Sequence, residues 1–399
     1  MAVRVLFLTH RLPYAPNRGD RVRAYHLLRQ LMTFAEVDLV SLVHDDEEAG
    51  HVEQTRALAT TVTGVRAPRF KNFVRAALAL PTSQALSNVL LDGPGLQPAI
   101  DRIVREHPPD VVFAFCSGIA HGVMRPPLSR FPLVLDMVDV DSAKWAALAA
   151  TSGPPRSWIY AREARRLADF EVAITKRAFA TIITTVKERD TLHELVPGAR
   201  IEVIQNGVDA RGLRPVDPPP ISETVVFCGV MNYAPNEEGA AWLAREVWPL
   251  VRQAHPHAKL ELVGSSPSRM VQELASDAEN VIVTGHVDDV RPHLWGAAVS
   301  AAPLQTARGV QNKVLEAVAA GLPTVVTPLV LEGVPEEIRP ACDVGRDARA
   351  FASALIAALS ASPAERRARA ARADVDAISW SHRLAPLEGL LRQAVQRHN

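Results

Sequence analysis

The feature that most constrains the fold of this 399-residue chain is a regular alternation of short apolar runs with longer helical patterns. The first run, Val3–Thr9, is rich in β-branched residues, and a helix is predicted to begin at Asp20, a favourable N-cap. Further runs of strand length follow at residues 36–43, 110–115, 133–137, 181–185 and 201–205. Strands that are apolar throughout and separated by helices predict a parallel sheet covered on both faces.

The alternation stops at a proline-rich segment, residues 214–220, and then starts again. Strands are predicted at residues 224–228, 259–263, 281–284, 299–302 and 324–327, with a helix at 313–320. We therefore predict an α/β protein of two doubly wound, Rossmann-like domains, residues 1–200 and 201–379, with a helix at about 380–399 that packs back on the first domain. Because ligands of such sheets bind beyond the carboxyl ends of the strands, we expect two crevices that face each other across one cleft.

The composition argues against some classes of protein. The formal net charge is zero, whereas a general nucleic-acid binder usually carries a broad basic surface. No window approaches the length of apolar sequence that a membrane span requires. Cys116, Cys228 and Cys342 are far apart and have no metal-ligand spacing, which favours free thiols and a cytoplasmic protein. An NAD-dependent oxidoreductase needs a Gly-x-Gly-x-x-Gly turn after a strand, and the sequence has none.

Several segments resemble glycosyltransferase family 4. Residues 201–209 (Ile-Glu-Val-Ile-Gln-Asn-Gly-Val-Asp) resemble the strand and turn that open the second domain of that family. The next strand ends of that domain are matched at 227–229, 261–264 and 283–287. Its donor-binding segment is matched at 308–326. Within the family, the chain is most similar to sugar transferases associated with exosortase and exopolysaccharide loci. That pattern is matched at residues 18–21, 136–142 and 309–316.

This resemblance implies the GT-B fold and a retaining glycosyltransferase. It implies transfer of a hexose-type sugar from a nucleoside-diphosphate donor to a hydroxyl of a glycan or lipid-linked acceptor in polysaccharide biosynthesis. The first domain then faces the acceptor, and the second binds the nucleotide sugar. No metal cofactor is expected, because enzymes with this fold commonly neutralise the diphosphate with side chains and a helix N-terminus. The alternative is a noncatalytic nucleotide-sugar-binding or scaffold protein of the same fold.

The resemblance also implies a donor site centred on residues 308–316. Glu316 matches the glutamate that accepts hydrogen bonds from the donor ribose, a task suited to a carboxylate because it takes two donors at once. Lys313 adds a point charge for the diphosphate. The alternatives are a solvated helix glutamate, an exposed lysine and, for His286, an exposed loop histidine rather than a neighbour of the nucleotide base. The full predicted donor set is Gly19, Gly229, Asn232, His286, Val287, Arg308, Gly309, Val310, Gln311, Lys313, Val314 and Glu316.

The chain departs from the family pattern at two places. Many members have a glutamate eight residues before the ribose-binding one, and this chain has Arg308 there. Many members also carry an arginine and a lysine shortly after the glycine that matches Gly229, whereas residues 230–236 contain no cation. A diphosphate leaving group needs positive charge as the sugar–phosphate bond breaks. We therefore predict that Arg308 and Lys313 replace the missing pair and act in catalysis, with Asn232 supplying a neutral hydrogen bond.

In the first domain, three carboxylates follow a predicted strand: Asp136, Asp139 and Asp141. Carboxylates that converge raise each other's pKa, as is typical of functional clefts. Asp139 is the predicted acceptor-hydroxyl contact or base, with Asp136 as a second catalytic candidate. The alternative is that all three are helix caps and turn formers. Arg21 and Arg23 are predicted to be solvated.

Residues 64–91 combine basic residues with large apolar ones, among them Arg69, Lys71, Phe70 and Phe73. One interpretation is a basic amphipathic helix on the anionic inner face of the membrane, where a lipid-linked acceptor would lie. The other is an amphipathic helix whose apolar face packs on the first sheet.

Overall fold

The computed structural model describes residues 3–14, 19–215, 221–307 and 310–398, with the backbone alone for residues 19 and 20. The chain divides into two compact units, Met1–Gln205 with Leu384–Asn399, and Asn206–Arg383. Each unit is built on a parallel sheet with alternating helices, which confirms the predicted fold class. The proline-rich segment follows the boundary at Gln205, and its residues 216–220 lie outside the described ranges.

The first unit contains a seven-stranded sheet of order β3-β2-β1-β4-β5-β6-β7, in which all neighbouring strands are parallel. Its strands are β1 (Val3–Thr9), β2 (Ala35–Val43), β3 (Thr61–Arg66), β4 (Val111–Phe115), β5 (Leu133–Val138), β6 (Ala180–Ile183) and β7 (Ile201–Val203). The strand order reverses between β1 and β4. In a doubly wound sheet, that reversal opens a crevice at the carboxyl ends of the two strands.

The helices of the first unit cover both faces of this sheet. They are α1 (Gly19–Leu31), α2 (Asp46–Gly50), α3 (Val52–Arg56), α4 (Arg69–Ala79), α5 (Leu86–Leu90), α6 (Leu96–Glu106), α7 (Asp141–Thr151), α8 (Arg156–Arg177), α9 (Val186–Leu195) and the C-terminal helix, numbered α20 in chain order (Pro386–His398). Short 3₁₀ segments lie at Ser117–Met124 and Leu128–Arg130. The C-terminal helix packs against β4 and β5 of the first sheet.

The second unit contains a six-stranded parallel sheet of order β10-β9-β8-β11-β12-β13. Its strands are β8 (Thr224–Cys228), β9 (Lys259–Val263), β10 (Val281–Gly285), β11 (Val299–Ala302), β12 (Thr324–Val326) and β13 (Cys342–Val344). Here the strand order reverses between β8 and β11, because β9 and β10 extend the sheet on one side and β12 and β13 extend it on the other.

The helices of the second unit are α10 (Ala210–Leu213), α11 (Ala234–Trp242), α12 (Trp248–Ala254), α13 (Arg269–Asp277), α14 (Arg291–Gly296), α15 (Asn312–Ala319), α16 (Pro328–Glu332), α17 (Ala348–Ser360), α18 (Pro363–Ala370) and α19 (Trp380–Arg383). A π-helical turn, Leu243–Val247, joins α11 to α12, and a 3₁₀ segment lies at Glu336–Ala341. Among the residues that the structure describes, none of the helices combines the length and apolarity needed to span a bilayer.

Burial on both faces of each sheet explains why the strands are apolar throughout. Successive side chains of a strand point to opposite faces, yet Leu6 and Phe7 of β1 are both fully buried. The same is true of Val225 and Val226 of β8. Each such side chain contributes about 1.5–3 kcal/mol when it leaves water.

Three strands differ from the sequence prediction. The resemblance implies that β7 opens the second domain. The structure instead places β7 in the first sheet, where its residues pair with Thr181 to Ile183 of β6. The apolar pattern predicts neither β3 nor β13, because polar residues interrupt both, and at a sheet edge most of their side chains keep some exposure to solvent. The first helix also begins at Gly19, one residue before the predicted cap.

Two arginines of α1 are buried in ion pairs, so the prediction that they are solvated is wrong. Arg23 Nε and Nη2 lie 3.0 and 2.8 Å from Asp136 Oδ2, and both side chains are almost fully buried. Arg21 Nη2 lies 2.9 Å from Glu48 Oε1, where neither side chain is exposed. Burial raises the pKa of Asp136, and the Arg23 guanidinium opposes that rise. Asp136 therefore belongs to the core of the first unit, where its carboxylate is enclosed and cannot reach an acceptor.

We expect Arg23→Met to lower the free energy of unfolding by about 3–5 kcal/mol at neutral pH, because it leaves the Asp136 carboxylate buried without a partner. The deficit should shrink in acid, where Asp136 takes up a proton. Urea-induced unfolding at two pH values measures both effects. Arg56→Met is the matched control, because Arg56 forms an exposed pair with Glu53 that is worth less than about 1 kcal/mol. A loss no larger than that of the control would show that the buried pair does not stabilise the unit.

Candidate functional site

The strand reversal in the second sheet brings two loops together, one after β8 and one after β11. The loop after β8 begins at Gly229, and the end of β9 at Gly264 packs directly beside it. A Cβ on Gly264 would lie 1.8 Å from the Gly229 carbonyl oxygen, and Gly264 has φ +148°. A Cβ on Gly229 would lie 2.7 Å from Nδ2 of Asn236 in α11. Only glycine permits this close approach of backbone at the carboxyl end of the sheet.

α15 follows β11 and presents its N-terminus at the same end of the sheet. Gln311 precedes the helix, its side chain does not cap the first amides, and the first turn contains no acidic residue. The amides of that turn, together with the helix dipole, favour an anion. One face of α15 is buried in the core through Val314, Leu315, Ala317 and Val318. Lys313 and Glu316, three residues apart, share a different face, one turn from each other.

Lys313 is largely buried and is held by two neighbours from β8 and α11. Its Nζ donates a hydrogen bond of 2.5 Å to Asn236 Oδ1 and lies 4.8 Å from the centroid of the Phe227 ring. Burial lowers the pKa of Lys313 to about 8, against the opposing influence of Cys228 and Glu316. The ammonium therefore stays charged at neutral pH in a site that is mostly shielded from water.

Glu316 is a half-buried carboxylate with no hydrogen bond or ion pair from any residue that the structure describes. Burial raises its pKa to about 7, and the nearby Lys313 ammonium opposes that rise. An enclosed carboxylate without a partner destabilises the fold, and such groups are typical of ligand sites. The four lone-pair positions of its two oxygens remain available for hydroxyl donors.

The structure brings Gly229, Lys313 and Glu316 together, whereas the other predicted donor residues are more dispersed. Asn232 is exposed in the loop before α11, and His286 is exposed with Nε2 3.6 Å from Asp288 Oδ1. Val287 and Val310 are half-buried against the core, Gln311 is also half-buried, and Val314 is buried. Arg308 and Gly309 lie outside the described residues.

The sequence analysis missed Asn236, which contacts Lys313. The positive charge that a phosphate site needs is absent from the segment after Gly229, and a neutral asparagine does not indicate such a site. The contact joins residues 77 positions apart, and no local spacing predicts it. The position of Asn236 does indicate that it is near the site, because it lies in the first turn of the helix that follows Gly229.

The three carboxylates of the first unit lie near one another but have different partners. Asp136 is enclosed in the core, whereas Asp139 and Asp141 share Lys144, whose Nζ lies 2.8 Å from Asp139 Oδ2 and 3.1 Å from Asp141 Oδ1. Asp139 also accepts a hydrogen bond of 3.1 Å from the hydroxyl of Thr184. Together these carboxylates raise the pKa of Lys144, so they offer an acceptor a paired rather than a free negative charge.

Two residues near this cluster have strained backbone. Val138 at the end of β5 has φ +72°, and Cys116 after β4 has φ +71°. A β-branched residue in this region is uncommon, and strain of this kind concentrates at functional sites. Gly19, which is predicted to approach the donor or acceptor, is the first residue of α1. The three cysteines form no disulfide.

Comparisons with known proteins bear on the fold and on the second unit. Residues 222–361 match the family model described as Glycosyl transferases group 1, and no curated protein sequence matches the chain. Three similar solved structures are sucrose-phosphate synthase from Thermosynechococcus elongatus (19% identity, 99% of this chain and 100% of that one, TM-score 0.68), Anabaena HepE in complex with UDP and glucose (14%, 98% and 100%, 0.65) and a glycosyltransferase from Rickettsia africae (12%, 99% and 99%, 0.66).

These matches establish the architecture of the chain, which has the GT-B fold over nearly its whole length. The matched segment, residues 222–361, contains β8 to β13 and therefore both Lys313 and Glu316. Family model and fold together support a glycosyltransferase.

We expect Glu316→Gln to stabilise the second unit at alkaline pH. Because the folded pKa of Glu316 is raised from its usual 4.5 to about 7, the wild-type protein loses stability as the pH rises between those values. The variant lacks this loss and should be about 1–3 kcal/mol more stable at pH 8, with little difference at pH 4. Urea-induced unfolding at both pH values measures this difference in stability. Glu332→Gln is the control, because Glu332 is the exposed last residue of α16. A variant that loses stability at pH 8 would show that the carboxylate has a stabilising partner.

Proposed function

We propose that this chain is a retaining glycosyltransferase that moves a hexose-type sugar from a nucleoside-diphosphate donor to a hydroxyl of a glycan or lipid-linked acceptor in polysaccharide biosynthesis. The observation that carries the proposal is the pairing of a shielded ammonium, Lys313, with an unengaged carboxylate, Glu316, at the strand reversal of the second sheet. A nucleotide sugar needs both groups, one for its diphosphate and one for its ribose. The resemblance to glycosyltransferase family 4, and within it to the exosortase-associated transferases, supports the finer assignment.

In this proposal, the Glu316 carboxylate accepts hydrogen bonds from the two ribose hydroxyls. The diphosphate lies at the N-terminus of α15, where backbone amides and the Lys313 ammonium face it. As the sugar–phosphate bond breaks, negative charge grows on the leaving phosphate, and a cation fixed beforehand in a shielded site stabilises that charge. Arg308, directly before this segment, supplies a second positive charge.

The other predicted residues surround this centre. Gly229 lets the loop after β8 approach the phosphates, and His286 with Val287 places backbone groups beside the base. Because side chains and helix amides supply the neutralising groups, the reaction needs no metal ion. HepE was solved with UDP and glucose, which makes UDP the first nucleotide to test.

On the acceptor side, Asp139 is the residue we propose to contact the acceptor hydroxyl. Its link to Lys144 and Thr184 fixes the carboxylate in place. The leaving phosphate is the base that removes the acceptor proton in a retaining reaction of this kind. Asp136 has no part in this step, because Arg23 and the core enclose it. A noncatalytic nucleotide-sugar-binding protein is the alternative, and donor hydrolysis by the purified chain would exclude it.

We further propose that the first unit contacts an anionic membrane through α4. Phe70, Phe73 and Leu78 of this helix are 81, 58 and 71% exposed, and its buried face carries Asn72 and two alanines. The interpretation in which the large apolar residues pack on the first sheet is therefore wrong for these three. Such a row of exposed apolar side chains favours a binding surface.

The contacts of α4 hold its apolar face outward. Nδ2 of Asn72 donates to the carbonyls of Leu90 and Asp92 at 3.0 and 2.7 Å. Arg162 of α8 donates to four carbonyls between residues 79 and 84, at 2.7–3.0 Å. Trp158, one turn before Arg162 on the same face of α8, is also 71% exposed.

The positive charge of residues 57–91 favours an anionic lipid surface as the binding partner of α4. Residues 57–91 contain no aspartate or glutamate, and Arg69 and Lys71 are exposed among the aromatic residues. Basic residues interleaved with aromatic ones bind such surfaces by both apolar insertion and charge. The chain then works at the cytoplasmic face of the membrane, beside a lipid-linked acceptor.

We expect nucleotide binding to identify the donor site. In calorimetry with UDP, GDP and ADP, at least one nucleotide should bind the wild-type protein, and Lys313→Ala and Glu316→Ala should each weaken that binding about 10–100-fold, the value of a charge-assisted hydrogen bond. Binding should weaken above pH 8 as Lys313 loses its proton and below pH 7 as Glu316 gains one. Arg308→Ala should reduce donor hydrolysis with little loss of stability.

Lys259→Ala is the matched control for these variants, because Lys259 is exposed at the opposite, amino end of β9. It should bind nucleotide as the wild-type protein does. Failure of the wild-type chain to bind any of the three nucleotides would contradict the proposed function, and binding without hydrolysis or transfer would favour the noncatalytic alternative.

We expect the protein to sediment with vesicles of phosphatidylcholine and phosphatidylglycerol, and less with phosphatidylcholine alone. Phe70→Ser with Phe73→Ser should lower the partition coefficient about tenfold or more, because two aromatic side chains no longer enter the bilayer. Ile221→Ser, which changes a 96% exposed residue of the second unit, is the control. High salt should weaken binding. Equal sedimentation of the double variant and the wild-type protein would refute the membrane contact.

A further inference from the structure

Asn236 is a buried side chain that makes two hydrogen bonds at the donor site. It lies in the first turn of α11 and is 5% exposed. Its Oδ1 accepts from Lys313 Nζ at 2.5 Å, and its Nδ2 donates to the Val230 carbonyl at 2.8 Å. One amide group therefore joins the lysine of α15 to the loop that follows β8.

The amide suits this place better than a carboxylate. A lysine ammonium has three donors on a flexible four-carbon chain, so it needs an acceptor to fix its position. An aspartate would fix it too, but its negative charge would offset the positive charge that a diphosphate requires. The neutral Oδ1 of Asn236 fixes the ammonium and leaves its full charge available to a ligand.

The second hydrogen bond of Asn236 fixes the loop after β8 as well. Because Nδ2 holds the Val230 carbonyl, and Gly229 packs against the same amide with no room for a Cβ, the loop and the lysine take up one arrangement. The Phe227 ring lies beneath the ammonium and restricts it on another side. A charged group that is fixed before the ligand arrives needs little reorganisation during bond breaking.

We propose that Asn236 is the positioning residue of this site: its amide orients the Lys313 ammonium toward the donor diphosphate without neutralising it. This inference rests on the proposed function, because it assigns a partner to the lysine of the same site. The segment that follows Gly229 contains no cation of its own, and Asn236 from that segment accepts a hydrogen bond from the lysine of α15.

A double-mutant cycle tests the inference by calorimetry, with whichever of UDP, GDP and ADP the wild-type protein binds most tightly. Asn236→Ala should weaken binding about tenfold in the wild-type background and less than about twofold in Lys313→Ala, because its effect acts through the lysine. Lys259→Ala replaces Lys313→Ala in the control cycle, where the two effects should add. Equal losses from Asn236→Ala in the presence and absence of Lys313 would overturn the inference.

Asn236→Asp provides a second measurement that keeps the size of the side chain. The groups that face Lys313 are Glu316 on its own helix and Cys228 and Asn236 from β8 and α11. A carboxylate at 236 should raise the pKa of Lys313, so that the alkaline loss of nucleotide binding moves from about pH 8 to higher pH. If the loss of nucleotide binding stays at about pH 8 in this variant, position 236 does not act on the ammonium. If Asn236→Ala fails to fold, this variant alone decides.

The two proposals fail in different ways. If the wild-type protein binds no nucleoside diphosphate, or binds it equally well without Lys313, both the proposed function and the inference are wrong. If Lys313→Ala weakens binding but the Asn236 effect is additive, only the positioning role is wrong.

Discussion

The close approach of backbone at Gly229 and Gly264 is the constraint on which the proposed donor site depends. Without side chains at these positions, the ends of β8 and β9 come together, and the amide of Asn236 packs directly on Gly229. That packing places Asn236 within reach of Lys313. A Cβ at Gly264 would clash with the Gly229 carbonyl, and a Cβ at Gly229 would clash with the amide that holds the lysine, although neither glycine has any chemistry of its own.

Burial then sets the charge state of the site. It lowers the pKa of Lys313 and raises that of Glu316, so both groups titrate near neutral pH. Each charge is less favourable in the empty protein than in water, and the apolar core of the second unit offsets that loss. A ligand with a diphosphate and adjacent hydroxyls would relieve both groups at once, which is the stability trade-off expected of a binding site.

Part of this arrangement can be predicted from the sequence. The alternation of apolar runs predicts the central strands, because strands buried on both faces must be apolar throughout. The edge strands β3 and β13 escape prediction because polar residues, and in β3 a glycine, interrupt their apolar pattern. The i, i+3 spacing of Lys313 and Glu316 places both on one helical face, but the Asn236 contact spans 77 residues and depends on tertiary packing. The sequence pattern of α4 likewise does not show which way its apolar face points. In the structure its large apolar residues face solvent.

The topology of a doubly wound sheet explains how two separate segments of the second unit meet at one lysine. At the strand reversal, the connections after β8 and β11 leave toward opposite faces, yet both start at the same crevice. A cation carried by the helix after either strand can therefore reach a phosphate bound there. In this chain the segment after Gly229 supplies no charge, α15 supplies Lys313, and the segment after Gly229 keeps the role of holding the ammonium through Asn236. Packing between these two segments therefore sets where the ammonium lies, and neither segment fixes it alone.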